Sequence, residues 1–289
     1  MTQPQPAERA DSDLSLPQPA VPTSRVAPVP EGEPILSVRH MVKRFGGLTA
    51  VDDVSLDIYP GEVVGLVGDN GAGKSTLIKC VSGVYHPDAG EILFQGKKVS
   101  FSRPIQARRA GIETIYQDLA LAGNLDVAAN IFLGRELKNR YLFGAIKSLD
   151  DKKMRDESVQ VLDSLDIRIP RMKLEIEKLS GGQRQAVAIA RAVYWNAQMM
   201  IMDEPTNNLG VPEQRKVMQL IQTLKSQDVP VVFISHTLPD VFAATDRIIV
   251  MHRGRKVAEV ATAETNTTEI VEFMVGAREQ PDLEDGPGA

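Results

Sequence analysis

Residues 63–76, VVGLVGDNGAGKST, decide the fold. Val63 to Val67 form an apolar run of strand length without polar alternation, which predicts a strand covered on both faces. The residues that follow, GDNGAGKST, fit G-x-x-x-x-G-K-[ST] directly after that strand, the context in which such a loop wraps phosphate. Gly68, Gly71 and Gly73 let the backbone turn tightly and aim N–H groups at phosphate oxygens. A helix opening near Lys74 adds the positive end of its dipole. Strand, glycine loop and helix in this order predict an α/β nucleotide-binding core.

Working outward, Ile112–Tyr116, Met199–Met202, Val231–Ile234 and Ile248–Met251 are further short apolar runs, several of them separated by helical stretches. That alternation predicts βα units and a parallel sheet. Between about Leu119 and residue 180 the pattern changes. Met154, Ser158, Val161, Leu162 and Leu165 share one helical face, and Ser148 with Asp151 has the spacing of a capping box. No buried-strand run interrupts this stretch, so it reads as a helical subdomain inserted into the core. No internal repeat is seen, which predicts a single nucleotide-binding unit over residues 35–277. Residues 1–34 hold eight of the 18 prolines and predict a disordered tail, with a docking arm as the alternative. Residues 278–289 predict a fraying acidic tail.

The 289 residues are 43% hydrophobic and 25% charged, ordinary for a globular protein. Lys and Arg number 33 against 38 Asp and Glu, a net charge of −5, so no nucleic-acid partner is expected. A single cysteine, Cys80, excludes a disulfide framework and a multi-cysteine metal site, and reads as packing in the helix after the glycine loop. Trp195 reads as packing or turn, and His40, His86 and His252 have no metal-ligand spacing. No apolar run approaches the ~18 residues of a bilayer span. The first residues lack the basic and apolar regions of a secretory signal, so a cytosolic chain is expected.

Within the loop, Lys74 should reach the outer phosphates, Ser75 should offer its hydroxyl to Mg²⁺, and Thr76 is placed to help hold the phosphates. Met199 to Met202 lead into Asp203 and Glu204. Asp203 stands where an acid holds Mg²⁺ indirectly, and Glu204 where a base could orient water. The bland alternative for each is a glycine-rich turn that binds nothing and a solvated pair of carboxylates.

LSGGQ, residues 179–183, lies 20 residues before Asp203 and opens the helical pattern GGQRQAVAIARAV. Ser180 is suited to cap that helix, whose first N–H groups form a second anion site. Here the sequence resembles the ATP-binding cassette (ABC) family of ATPases, whose signature this is, and the resemblance spans about residues 35–275. It implies a P-loop NTPase fold with a mostly parallel sheet, a small antiparallel β subdomain and the inserted helical subdomain. It also implies ATP and Mg²⁺ as cofactors, with two ATP molecules sandwiched in a head-to-tail dimer. Each ATP would lie between the cradle of one protomer (Gly68, Asn70, Gly71, Gly73, Lys74, Ser75, Thr76) and the Ser180, Gly181, Gly182 and Gln183 turn of its partner. Phe45 matches the aromatic that stacks on adenine, an ordinary core phenylalanine being the alternative. Gln117 matches the glutamine that senses Mg²⁺, and His236 the histidine that contacts the γ-phosphate. The resemblance thus assigns catalysis to Lys74, Glu204 and His236, and Mg²⁺ to Ser75, Gln117 and Asp203. In one respect the chain departs from the pattern. The loop after Glu204 commonly ends in aspartate, but here it runs Pro205-Thr206-Asn207-Asn208-Leu209-Gly210, with glycine in that place.

AGIETIYQDLAL, NIFLGRE, DEPTNNLGV and ISHTLPDVF look most like ATPases of bacterial monosaccharide importers of the ribose, xylose and fructose type. That resemblance implies a homodimer, or a pair with a related chain, lying peripherally on the inner face of the cell membrane. It also implies a separate integral-membrane permease and, indirectly, a periplasmic solute-binding protein. A soluble ABC ATPase of the translation or DNA-repair kind, or an ATP-binding module that has lost hydrolysis, are the alternatives.

Overall fold

The computed structural model describes residues 32–141, 146–207, 209–278 and 280. Most of the tail expected over 1–34 and most of that over 278–289 lie outside them, as does Asn208. A hairpin of β1 (Leu36–Phe45) and β2 (Leu48–Ile58) leads to β3 (Val63–Val67), the glycine loop and α1 (Lys74–Val81). Next come β4 (Ala89–Phe94), β5 (Lys97–Val99), α2 (Pro104–Ala110) and β6 (Ile112–Ile115). They are followed by α3 (Val127–Ile131), β7 (Lys138–Tyr141), β8 (Ile146–Leu149), α4 (Asp151–Ser164) and α5 (Gly181–Tyr194). The remaining elements are β9 (Met199–Asp203), α6 (Val211–Ser226), β10 (Val231–Ile234), α7 (Leu238–Ala244), β11 (Arg247–His252), β12 (Arg255–Ala261) and α8 (Thr267–Met274).

The main sheet has six strands in the order β12-β11-β3-β10-β9-β6. Only β12 runs antiparallel to its neighbour. A second sheet, β2-β1-β4-β5, is antiparallel throughout. These are the parallel core and the small antiparallel sheet that the resemblance implies. Unbroken apolarity in the core strands has a direct cause, since their alternate side chains enter two different cores. Val63, Val67, Met200, Met202, Val231 and Phe233 join a cluster with α4, α5, α6 and α7. Val64, Leu66, Met199, Ile201, Val232 and Ile234 join one with α1 and the antiparallel sheet. Register sets Ile234 opposite both Leu66 and Asp203. The segments that leave β3, β9 and β10 therefore emerge at one edge of the sheet.

Two expectations need correction. The segment between β6 and α5 is not purely helical, because β7 and β8 form a separate two-stranded sheet within it. Its first strand, KNRY, is polar and offers no apolar run, so hydrophobic periodicity passes over it. The cap of α4 is Asp150, whose Oδ1 accepts from the Lys153 N–H at 3.1 Å. Ser148 lies in β8, where it is paired with Asn139. The α4 face itself is as read, with Met154, Ser158, Val161 and Leu162 buried.

One element of the interior left no trace in the sequence. Arg247, 4% exposed, pairs with Glu62, 7% exposed, at 2.6 Å, bonds Glu259, and donates to the Asp57 carbonyl at 2.8 Å. Glu62 in turn accepts from the Tyr59 N–H at 2.7 Å. This network ties the turn before β3 to β11 and β12.

Candidate functional site

A cavity of about 480 Å³ opens at the edge of the sheet where the glycine loop leaves β3. Its walls are Phe45, the loop from Asn70 through Thr76, Asp203 and Glu204, completed by Leu48, Thr49, Ala50, Ile234 and Arg253. The loop's shape depends on its glycines at two places above all. Gly68 has φ +149° and a Cβ there would lie 2.2 Å from the Met251 carbonyl oxygen. Gly73 has φ +101° and its Cβ would lie 2.4 Å from the Ala50 carbonyl oxygen. Any side chain at either position would push the loop off the strands it rests on. Gly73 is the residue on which α1 starts, so the helix axis points its N-terminal end into the cavity.

Lys74 reaches back over the loop, its Nζ donating to the carbonyls of Gly68 at 2.6 Å and Asp69 at 3.0 Å. Burial holds its ammonium below the usual lysine range, opposed by the charges of Glu204, Asp203 and Asp69. Asp203 is raised for matching reasons, first burial and then the neighbouring charge of Glu204, against Lys74 and Lys79. Two carboxylates and one ammonium thus share a poorly solvated pocket. Bound anionic phosphate and a divalent cation would relieve both strains, which fits Ser75 and Asp203 as magnesium partners. Among the described residues there is no cluster of three or more His, Cys, Asp or Glu side chains that could hold a metal unaided.

Glu204 stands just past β9 in the left-handed region, φ +53°, its N–H donating to the Ile234 carbonyl at 2.9 Å. Its carboxylate is held on both sides. Oε1 meets His236 Nδ1 at 3.2 Å, and Oε2 accepts from Asn207 Nδ2 at 2.6 Å. His236 is 59% exposed and does not itself line the cavity, to which Glu204 connects it.

Phe45 is no core residue: it is 41% exposed at the rim and edge-on to Tyr85, with ring centroids 5.2 Å apart. Gln117, beyond the end of β6, is exposed and does not line the cavity. Ser180, Gly181, Gly182 and Gln183 lie at the head of α5, also outside the cavity wall. There the Gln183 N–H donates to Ser180 Oγ at 3.3 Å and the Ser180 N–H to Gln183 Oε1 at 3.0 Å. That reciprocal cap consumes both side chains and satisfies the Ser180 and Gln183 N–H groups, leaving those of Gly181 and Gly182 without partners from the helix itself. Gly182 presses on α6, since a Cβ on it would lie 2.7 Å from Glu213 Cγ. Gly210 caps α6 with no side chain, and a Cβ there would lie 2.8 Å from Glu213 Oε2.

Sequence reasoning assigned no role to Asn207 and passed over Arg253. Asn207 could have been found from the Pro205-Thr206 turn that carries it back toward Glu204. Arg253 sits in the β11–β12 turn, which the hydrogen bond from the Gly254 N–H to the Ala72 carbonyl, 3.0 Å, ties to the glycine loop. Cys80 is buried on α1, where burial pushes its thiol up to about 11, and Trp195 caps α5 against Phe132 and Tyr194.

Residues 51–207 match the family model described as ABC transporter. A xylose/arabinose import ATP-binding protein of Sulfolobus acidocaldarius is 51% identical over 240 residues, covering 83% of this chain and 93% of that protein. A fructose import ATP-binding protein of Rhizobium meliloti is 45% identical, covering 86% and 96%. Among solved structures, the ADP conformation of an ATP-binding cassette of an ABC transporter superposes with TM-score 0.73 at 26% identity, covering 85% of this chain and 100% of that one. A dimeric cassette in a post-hydrolysis state with ADP and phosphate gives TM-score 0.66 at 25% identity, covering 78% and 98%. A glycine cradle, paired carboxylates at the end of a buried strand and a capped signature helix, matched over most of the chain, place the protein in the ABC transporter family.

Proposed function

We propose that this chain is the ATP-hydrolysing subunit of an importer that takes up a monosaccharide through a separate membrane permease. The observation that carries the sugar reading is the 51% identity, over nearly the whole length of the relative, to a protein named for xylose and arabinose import. The reaction is ATP and water to ADP and phosphate.

In this reading the loop from Gly68 to Thr76 cradles the phosphates with its N–H groups, and Lys74 exchanges its carbonyl partners for the outer phosphates. Phe45 offers a ring at the rim for the base. Ser75 and Asp203 would hold magnesium, with Gln117 approaching on closure. Magnesium, when bound, neutralises charge across the outer phosphates. Glu204 takes the proton of the attacking water, and His236 contacts the γ-phosphate while supporting Glu204 from its far side. With Ser180 and Gln183 ordering the turn, the N–H groups of Gly181 and Gly182 stay open to the ATP of a second chain, so two chains close head to tail on two ATP molecules. Hydrolysis removes what holds them together, giving a two-state element that a permease can feel. No helix among the described residues is long and apolar enough to cross a membrane, and the proposed place is peripheral, on the cytoplasmic face. A periplasmic solute-binding protein would select the sugar, to which the ATPase is blind.

The test is affinity purification of the tagged chain from gently solubilised membranes of its own host. A co-purifying polytopic permease is the expected result, together with ATPase activity that a cognate sugar-loaded binding protein stimulates. Recovery with ribosomal or DNA-bound partners alone would replace the importer reading with a soluble ABC ATPase.

A further inference from the structure

The Glu204 carboxylate has two neighbours, and only one of them belongs to the machinery described so far. Asn207 Nδ2 lies 2.6 Å from Oε2, while the Asn207 N–H also donates to the Glu204 carbonyl at 3.1 Å. An ionised carboxylate accepts and never donates, so the amide must face it nitrogen first. The turn that carries Asn207 is anchored independently of His236. Buried Thr206 donates from Oγ1 to Asp240 Oδ2 at 2.8 Å, and the Leu209 N–H donates to the Thr206 carbonyl at 3.3 Å. His236, by contrast, hangs at the rim, 59% exposed.

We propose that Asn207 is a positioning residue that fixes the orientation of the Glu204 carboxylate for attack on the phosphoryl group. The inference rests on the assignment of Glu204 as the base. A carboxylate has about four lone-pair positions, and the bonds to Asn207 and His236 occupy one on each oxygen. Two remain, and with the plane fixed they point in set directions for water. An amide suits the role because it is a neutral donor: it aligns the carboxylate without adding a charge or a proton to be lost. Histidine alone fixes one oxygen and leaves the group free to rotate about that contact.

The test compares steady-state ATPase activity of the full chain as wild type, Glu204→Gln, Asn207→Ala and Asn207→Asp. Asn207→Ala is expected to lower kcat about ten- to a hundred-fold, the scale of a misaligned catalytic group, with KM for ATP changed less than about two-fold. Asn207→Asp matches the amide in shape and keeps the turn, but sets an acceptor against an acceptor. It is expected to lose at least as much activity as the alanine variant, while the chain stays folded at the assay temperature. A merely structural asparagine would be rescued by aspartate, so wild-type turnover in Asn207→Asp overturns the proposal. Should the alanine variant not fold, the aspartate comparison decides alone, and Asn207→Ser, too short to reach Oε2, repeats it with a neutral side chain. Wild-type turnover in Glu204→Gln would instead sink the assignment of the base. A dead Glu204→Gln beside wild-type turnover in both Asn207→Ala and Asn207→Asp sinks the positioning role alone.

Discussion

Glu204→Gln is expected to cut ATP turnover about a thousand-fold, ~4 kcal/mol of transition-state stabilisation, while ATP still binds. The substitution keeps volume and hydrogen bonding, because the new amide can accept from Asn207 with its oxygen and donate to His236 with its nitrogen. What it removes is the ability to take a proton from water. The cradle, whose walls include Lys74 and Ser75, is untouched. Binding without cleavage should leave ATP in place between two chains. Gel filtration with ATP and Mg²⁺ should show a dimer that persists for the variant and decays for the wild type. Turnover at the wild-type rate would remove Glu204 from the chemistry.

The largest expected effect on stability lies away from the cavity. Arg247→Ala should lower stability by about 3–5 kcal/mol, since it leaves buried Glu62 without its cation, while Glu259 keeps only Lys256 as a cationic partner. For a domain of this size that corresponds to roughly 10 °C in the thermal midpoint. The loss should depend on pH in a defined direction. Burial already pushes the Glu62 carboxyl above its usual range, against the pull of Arg247. A carboxyl raised in the folded state costs stability while ionised, and the cost disappears as pH falls through the raised value. Without Arg247 that cost grows, so the gap between variant and wild type should narrow from about pH 7 to about pH 5. A gap constant over that range would mean that packing, and not charge, is what Arg247 contributes.

The fold was legible in the sequence where its logic is local. A strand such as Met199–Met202 announces itself because both faces are buried, and the glycine loop because its spacing serves one geometry. The cap of α5 was equally readable, Ser180 and Gln183 standing three residues apart. The β7–β8 hairpin was not, because KNRY carries no periodic apolar signal. Nor was the partnership of Arg247 with Glu62, 185 residues apart in the chain, since nothing short of the sheet order brings those positions together. At the candidate site the residue types were legible and the contacts were not. Asp203 and Glu204 could be read off the end of β9, but that Asn207 turns back upon Glu204 follows from φ +53° at Glu204 and from the anchoring of Thr206.

Gly182 stands both in the proposed anion-binding turn and at a helix contact, and this affects how its mutants are to be interpreted. Its missing side chain lets α5 stand against the stem of Glu213 on α6. A methyl group at Gly210 meets only the carboxylate tip of Glu213, which can swing aside, whereas one at Gly182 meets the stem and must move a helix. Inactivity of a Gly182 variant would therefore report a spread pair of helices as readily as a turn that no longer meets the ATP of the second chain. Substitutions at Ser180, which alter the cap and leave the spacing between α5 and α6 alone, separate the two causes.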